Sequence, residues 1–209
     1  LAVALHEFGH AWIAHLAGDT TIEAKGYLTF DPRKYTDLGT SLIIPLIAVA
    51  LGGIGFPGGA VYLREDLMRS RAWRSAASLA GPAGTLVVLV LISLALRLIA
   101  PALPGGLDNP LIPALALLGF LQATALVLNL LPIPGLDGFN ALRPFLPQAV
   151  SDAVRKVEGL AALALLALIF FVPIAAALFF GVAFLVAEAV GLPVEPVQAG
   201  YSAFRFWDS

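Results

Sequence analysis

The sequence predicts an all-α polytopic membrane protein with about five to six transmembrane helices and a short re-entrant or β segment. Only 12% of its 209 residues are charged, against about 25% in soluble domains. A stretch of about 20 apolar residues is long enough to cross a bilayer as a helix. Four longer stretches contain no Asp, Glu, Lys or Arg, which argues against a soluble fold: residues 38–63, 75–96, 109–136 and 159–187.

The first predicted element is a helix over residues 1–17, where Ala, Leu, Ile and Trp dominate. Gly18 and Asp19 follow it and supply a stop signal. Only five apolar residues precede His6, and they lack the basic flank of a signal peptide. We therefore expect Leu1 to lie inside a membrane helix whose upstream half is missing.

Two less regular segments come next. Residues 20–37 alternate weakly between apolar and polar side chains, which predicts one or two short strands. Residues 38–51 are long enough for a helix but contain Pro45, and they lead into the glycine-rich residues 52–59. We expect the segment that begins at residue 38 either to cross the membrane or to dip in and return.

Three later apolar stretches predict further membrane helices. Residues 73–98 and 111–131 each match one span, and helix-breaking prolines follow the second. As one helix, residues 160–192 would measure about 50 Å, which exceeds a hydrocarbon core of about 30 Å. Pro173 therefore predicts a break, and we expect a helical hairpin over residues 157–192.

The basic residues predict the orientation, because cytoplasmic loops are enriched in Lys and Arg. They lie on two connections, whereas residues 100–110 contain none. Two predicted spans separate these connections, so both should lie on the same side of the membrane. We expect that side to be the cytoplasmic side of a prokaryotic inner membrane. The first connection carries Arg64, Arg69, Arg71 and Arg74, and the second carries Arg143, Arg155 and Lys156.

Composition excludes several classes of function. The net charge of −2 and the lack of a long basic run argue against a nucleic-acid partner. The chain has no cysteine, so a disulfide framework, a thiolate metal site and a cysteine nucleophile are excluded. No repeat or linker divides the sequence, and residues 1–209 are predicted to form a single membrane domain with a core of residues 1–150.

A metal-binding motif lies within the first helix. His6-Glu7-Phe8-Gly9-His10 has the pattern H-E-x-x-H, in which two imidazoles share one helix face and can reach one Zn²⁺. The glutamate between them is placed to act as a general base. A charged group inside an apolar helix is costly and is usually functional, which strengthens the interpretation.

Hydrolytic zinc sites have three protein ligands and leave a fourth position for water, so a third ligand is required. His15 lies about 140° beyond His10 around the helix and cannot join the same metal. Apart from Glu7, only Asp137 and Glu188 are carboxylates in or beside apolar segments. Asp137 is the better candidate because prolines and glycines unwind the preceding backbone, and such backbone at membrane depth lines protein or a wet cavity. We expect Glu188 to lie at the membrane interface.

The chain resembles the site-2 protease family of intramembrane zinc metalloproteases, in its compact form without a PDZ or CBS domain. The resemblance covers residues 1 to about 150, while the last 60 residues match only in being apolar. Four sequence blocks carry it: His6 to Trp12 with Gly18-Asp19, then Asp37-Leu38-Gly39-Thr40, then Ala80-Gly81-Pro82, and finally Asn129 to Gly138.

The resemblance implies that zinc is the cofactor. It also implies that His6, His10 and Asp137 bind the zinc, and that Glu7 activates the attacking water. Because Asp137 follows a predicted span on the Arg-rich side, we expect the metal to open towards the cytoplasm. A substrate helix must unwind before cleavage, and a strand edge could bind its freed backbone groups, so we expect the β or re-entrant segment to lie near this active site.

The resemblance further implies that Asn129 positions the substrate chain or its developing oxyanion. A helix-packing amide is the alternative for Asn129. Relatives commonly have a second Asn shortly after the Gly-Pro pair, where this chain has Thr85. A substrate-pairing edge strand at residues 59–63 and a flexible re-entrant loop are equally compatible with the glycines there.

The predicted function is an intramembrane zinc endopeptidase that cuts a peptide bond within or near a substrate's transmembrane segment. Its partners would be a single-span membrane protein or peptide and the lipid bilayer, and the oligomeric state is left open. A non-catalytic regulatory relative is one alternative, against which the intact Glu7 argues. A transporter is another, against which the H-E-x-x-H motif and the lack of a repeated half argue.

Overall fold

The computed structural model describes residues 1–34, 61–106 and 109–205. Within these ranges the chain forms helices and no strands, as the all-α prediction requires. The α-helices, numbered here in chain order, are α1 (Ala2–Ala17), α2 (Thr21–Ala24), α3 (Arg71–Ile99), α4 (Leu111–Leu130), α5 (Asp137–Leu142), α6 (Gln148–Arg155), α7 (Glu158–Phe171), α8 (Pro173–Ala189) and α9 (Glu195–Phe204).

The described residues contain two helices that are long and apolar enough to cross a membrane. They cover Arg71–Ala102, which is α3 with the turn after it, and Leu111–Leu130, which is α4. The bent pair α7 and α8 would make a third if it is one span. These helices support a membrane protein, but they do not confirm five to six spans. The predicted crossing or re-entrant segment at residues 38–55 lies outside the described residues.

Helix α1 ends where the sequence predicts. Gly18 adopts φ 117°, a left-handed conformation that glycine reaches without steric cost. Its backbone N–H then bonds to the carbonyls of Ala14 and His15, which closes the last helical turn. The stop signal therefore depends on a backbone conformation that other residues rarely adopt.

The prediction of one or two strands in residues 20–37 is wrong for the described residues 20–34. Thr21–Ala24 instead forms a single helical turn, α2. The Asp19 carboxylate accepts hydrogen bonds from the Thr21 backbone N–H at 3.0 Å and from the Thr21 hydroxyl at 2.6 Å. These bonds form an Asx turn that leads the chain into the helical turn, and this local bonding outweighs a weak alternation of apolar residues.

Asp19 is fully buried and also binds a segment distant in sequence. Its second carboxylate oxygen accepts a hydrogen bond of 2.8 Å from the backbone N–H of Arg64. Nearby, the Lys25 ammonium donates to the Tyr62 carbonyl at 2.7 Å. These contacts hold residues 61–64 against the turn that follows α1, and residues 61–63 are not a strand.

The chain divides into two compact units. The first comprises Leu1–Thr85 and Leu128–Val172, and the second comprises Leu86–Val127 and Pro173–Ser209. The first unit has a buried cluster of small and medium side chains: Ala11, Ala14, Ala17, Ile22, Met68 and Ala77. The single membrane domain of residues 1–209 stays a prediction.

The second unit has its own apolar core. Phe120 of α4 contacts Phe184 of α8, with ring centroids 4.4 Å apart. Gly119 leaves room for Leu192, whose side chain an added Cβ would meet.

The helical path breaks at Val172, between the end of α7 and the start of α8 at Pro173. The sequence predicts a break at this proline. The hairpin over residues 157–192 stays a prediction.

We expect Asp19→Ala to lower the free energy of unfolding by roughly 2 kcal/mol or more, because it leaves backbone donors of Thr21 and Arg64 without their partner. The measurement is the unfolding midpoint of the purified protein in mixed micelles. Asp31→Ala is the matched control, since Asp31 bonds to the Arg33 backbone in the same local way but at the surface. Equal shifts in both variants would contradict the role of Asp19.

Candidate metal centre

Helix α1 places two imidazoles side by side. His6 and His10 are four residues apart, and their Nε2 atoms are 3.1 Å from each other. The rings meet edge to face, with centroids 4.8 Å apart. Because i and i+4 lie one turn apart on a helix, this convergence follows directly from the motif spacing.

The third predicted ligand, Asp137, belongs to the second sequence stretch of the first unit, Leu128–Val172. Asp137 is the first residue of α5, and its Oδ2 lies 3.2 Å from His6 Nε2 and 3.4 Å from His10 Nε2. One glycine before Asp137 and one after it allow this backbone path. Gly135 adopts φ 92°, and a Cβ on Gly138 would fall on the Leu130 carbonyl.

Each imidazole is fixed through its other nitrogen. His10 Nδ1 lies 2.7 Å from the Ala77 carbonyl, which can only accept, so the proton is on Nδ1 and the Nε2 lone pair is free. His6 Nδ1 lies 2.8 Å from the Thr85 hydroxyl. That hydroxyl is 3.4 Å from the Gly81 carbonyl, to which it donates, so its oxygen accepts from His6. Such partners of ligand histidines set the tautomer and ring orientation.

The three donor atoms fit a zinc ion. Their separations of 3.1, 3.2 and 3.4 Å match the edges of a tetrahedron with zinc bonds of 2.0–2.1 Å, which are about 3.3 Å. Within the described residues, Asp137 Oδ2 is buried and has no hydrogen-bond partner. Three electron-pair donors thus face one another, and a bound cation would remove their mutual repulsion. His6, His10 and Asp137 form a group able to hold a metal.

Glu7 lies beside this group. Its side chain is buried, with 5% of its surface exposed. Its carboxylate is close enough to His6, His10 and Asp137 for charge interactions with all three. A carboxylate in this position can accept a proton from a molecule bound at the metal.

Helix α3 approaches α1 very closely, because both helices have glycines at the contact. A Cβ on Gly81 would fall on the His10 ring, and a Cβ on Gly84 would lie 2.8 Å from the Leu5 carbonyl. A Cβ on Gly9 would lie 2.5 Å from the Ala80 carbonyl. The close approach brings Ala77 and Thr85 within reach of the two imidazoles.

Sequence reasoning did not assign a role to Thr85 or to the Ala77 carbonyl. Thr85 is buried, with 3% of its surface exposed, and its position four residues after Gly81 places it on the same helix face. The available signal was the Ala80-Gly81-Pro82 block, which marks the close contact but does not reveal which polar atoms it brings to the histidines.

The other residues singled out from the sequence are not members of the metal-binding group. His15 pairs with Glu23, with 3.6 Å between His15 Nε2 and Glu23 Oε1. Glu188 is exposed on α8. Asn129 is half-buried in the last turn of α4, and its role towards a substrate stays a prediction.

The apolar helices and this donor set define a membrane protein with a zinc-type metal centre. Over its whole length the chain is 43% identical to a Mycolicibacterium smegmatis protein named "Putative zinc metalloprotease Rip2", of which it covers 78%. The protein of that name from Mycobacterium tuberculosis strain H37Rv is 42% identical over 99% of this chain and 78% of its own. The chain belongs to the zinc metalloprotease family of Rip2, and its cofactor is zinc.

A more distant bacterial relative has a similar name. The Bacillus subtilis protein named "Putative zinc metalloprotease YwhC" is 28% identical over 74% of this chain and 70% of its own length. No family model matches the chain, and no solved structure does.

We expect Gly81→Ala to reduce zinc affinity by about 10-fold or more, because the added methyl group would displace the His10 ring. Elemental mass spectrometry of the purified protein, equilibrated against a zinc chelator, measures the loss. Gly181→Ala is the control, since this helical glycine in α8 has open space around it. Retention of the parent's zinc by Gly81→Ala would show that the ring does not need this gap.

We expect Thr85→Val to weaken zinc binding by about 10- to 100-fold, because the isosteric side chain removes the acceptor for His6 Nδ1. The measurement is the same chelator competition. Thr85→Ser keeps the hydroxyl and should bind zinc like the parent. Equal losses in both variants would mean that the methyl contact, and not the hydrogen bond, matters.

Proposed function

We propose that this protein is an intramembrane zinc endopeptidase of the site-2 protease family, which hydrolyses a peptide bond within or near a substrate's transmembrane segment. The observation that carries the proposal is the converging set of His6, His10 and Asp137 with the buried Glu7 beside it. The names of the bacterial relatives support a metalloprotease role. The apolar character of the chain supports a membrane-embedded substrate.

Zinc, when bound, supplies a Lewis acid that polarises a carbonyl and acidifies water. The chain's own residues do the rest. His6 and His10 would bind the metal through Nε2. The Thr85 hydroxyl and the Ala77 carbonyl bond to the other ring nitrogens and so fix the orientation of the two imidazoles. Glu7 accepts a proton from the attacking water and delivers it to the leaving amine.

The substrate is a single-span membrane protein or peptide. A peptide bond inside a helix has its carbonyl hydrogen-bonded and crowded, so the helix must unwind locally before attack. The amide of Asn129, in the last turn of α4, can donate to a carbonyl of the unwound chain or to its developing oxyanion. Binding the unwound chain in this way offsets part of the lost helical bonding.

We infer that the protein lies in the inner membrane of a bacterium and opens towards the cytoplasm. The inference depends on the two connections rich in Arg and Lys, on either side of the spans α3 and α4. Asp137 begins α5, after the end of α4 and before the second of these connections. The metal centre therefore belongs near the cytoplasmic side.

We expect Glu7→Gln to retain zinc but lose cleavage by at least about 100-fold, because an amide replaces the base without removing a ligand. The assay uses purified protein in detergent with single-span reporter proteins, whose transmembrane segments carry a central Gly or Pro to ease unwinding. Zinc content is measured on the same samples.

Glu23→Gln is the matched control, since Glu23 is an exposed glutamate that pairs with His15 and not with the metal group. It should cleave like the parent. Cleavage that persists in zinc-loaded Glu7→Gln would falsify the role of Glu7. Zinc binding by the parent without cleavage of any reporter would favour a non-catalytic relative.

A further inference from the structure

A polar cavity lies in the first unit, lined by residues other than the metal ligands. Its volume is about 440 Å³, within the size range of small-molecule sites. Three of its six lining residues are arginines and two are acids: Leu63, Glu65, Asp66, Arg74, Arg143 and Arg155. The metal ligands are not among them, so the cavity calls for a separate interpretation.

The acidic residues of the cavity are already paired. Glu65 forms an ion pair with Arg143, whose guanidinium also bonds to Glu158 at 3.2 Å. Asp66 pairs with Arg64 at 2.7 Å, and the Arg64 guanidinium lowers the pKa of Asp66 to about 2. These pairs neutralise both carboxylates and hold Arg143 in a fixed orientation.

Two arginines of the cavity have no such partner. Among the described residues, Arg74 and Arg155 form no ion pair. Arg74 lies near enough to Asp66 to help lower its pKa, but Arg74 Nε is buried without a hydrogen-bond acceptor. A buried donor without an acceptor is costly. Arg74 also lies near the start of α3, whose first turn contains no acid and where the helix dipole disfavours a cation. An anion in the cavity would relieve both costs.

We propose that this cavity binds the phosphate of an anionic phospholipid headgroup. Guanidinium groups bind phosphate oxygens through paired hydrogen bonds, and Arg74, Arg143 and Arg155 present three of them to one space. The volume accommodates a headgroup and not only a single ion. Basic pockets beside transmembrane helices are known to bind such headgroups.

The surroundings of the cavity favour a lipid as the source of the phosphate. Large apolar side chains remain exposed around α5 and α6: Leu142, Phe145, Val150 and Val157. Val150 and the cavity residue Arg155 both belong to α6, so part of this exposed apolar surface lies on the same short helix as a cavity arginine. A short amphipathic helix with basic residues is typical of a membrane surface, where headgroup phosphates are abundant.

The test uses the full chain in detergent micelles and follows its unfolding midpoint, since a ligand that binds only the folded state raises it. The probes are dioctanoyl phosphatidylglycerol, dioctanoyl phosphatidylcholine and inorganic phosphate at constant ionic strength. Neither zinc loading nor cleavage enters this measurement. We expect saturable stabilisation by phosphatidylglycerol, with little from phosphatidylcholine.

Arg74→Gln and Arg155→Gln should each weaken the phosphatidylglycerol affinity by about 10-fold or more. Arg71→Gln is the matched control: it removes the same charge from the first turn of α3 but not from the cavity, and should stay within about twofold of the parent. Arg155 is exposed, so its variant should fold even if Arg74→Gln does not.

If inorganic phosphate displaces phosphatidylglycerol at similar concentrations, the cavity is a phosphate site whose ligand is a soluble phosphate and not a lipid. Three results would overturn the proposal: no saturable binding of either phosphate probe, equal binding of phosphatidylcholine, or an equal loss in Arg71→Gln. An acidic peptide that binds where the phosphate probes do not would assign the cavity to a protein partner.

Discussion

The structure of the first unit depends on keeping three electron-pair donors face to face. Two imidazole nitrogens and a carboxylate oxygen converge within 3.4 Å, although no proton between them can satisfy all three. Such an arrangement persists only where the surrounding chain fixes each group, or where a cation neutralises the repulsion. Hydrogen bonds and small residues around the ligands provide this fixation.

The fixing contacts come from backbone and small residues and not from large side chains. The Ala77 carbonyl and the Thr85 hydroxyl bind the outer nitrogens of the rings, and Gly81 gives the His10 ring its space. On the carboxylate side, Gly135 and Gly138 allow the turn that starts α5. Small residues let helices approach closely in an apolar environment, where burial alone provides little attraction between them.

The sequence predicted the ligand set well because the information is local. The i, i+4 spacing of His6 and His10 determines their shared face. The prolines and glycines before Asp137 distinguish it from Glu188, the other carboxylate beside an apolar segment. The end of α1 was equally predictable, since Gly18 marks it chemically. The spans α3 and α4 follow from apolar length alone.

Other features depend on contacts that the sequence does not display. The role of Thr85 requires that α3 pass close to His6, 79 residues away in sequence. For the described residues 20–34, the prediction of strands was wrong because the Asx turn of Asp19 outweighed a weak alternation, and an alternation count does not include such side-chain bonds. The arginine-lined cavity likewise joins two stretches of the first unit that are distant in sequence, residues 63–74 and residues 143–155.

One short helix, α5, connects the metal centre to the cavity, so the two sites are not independent. Asp137 begins α5, and Arg143 follows its last residue. Ion pairs from Arg143 to Glu65 and Glu158 tie that end of α5 to two other segments. Because α5 has only six residues, a displacement of Arg143 is transmitted to the carboxylate with little flexible chain to absorb it. The charge pairs around Arg143 therefore support the position of Asp137 as well as the cavity.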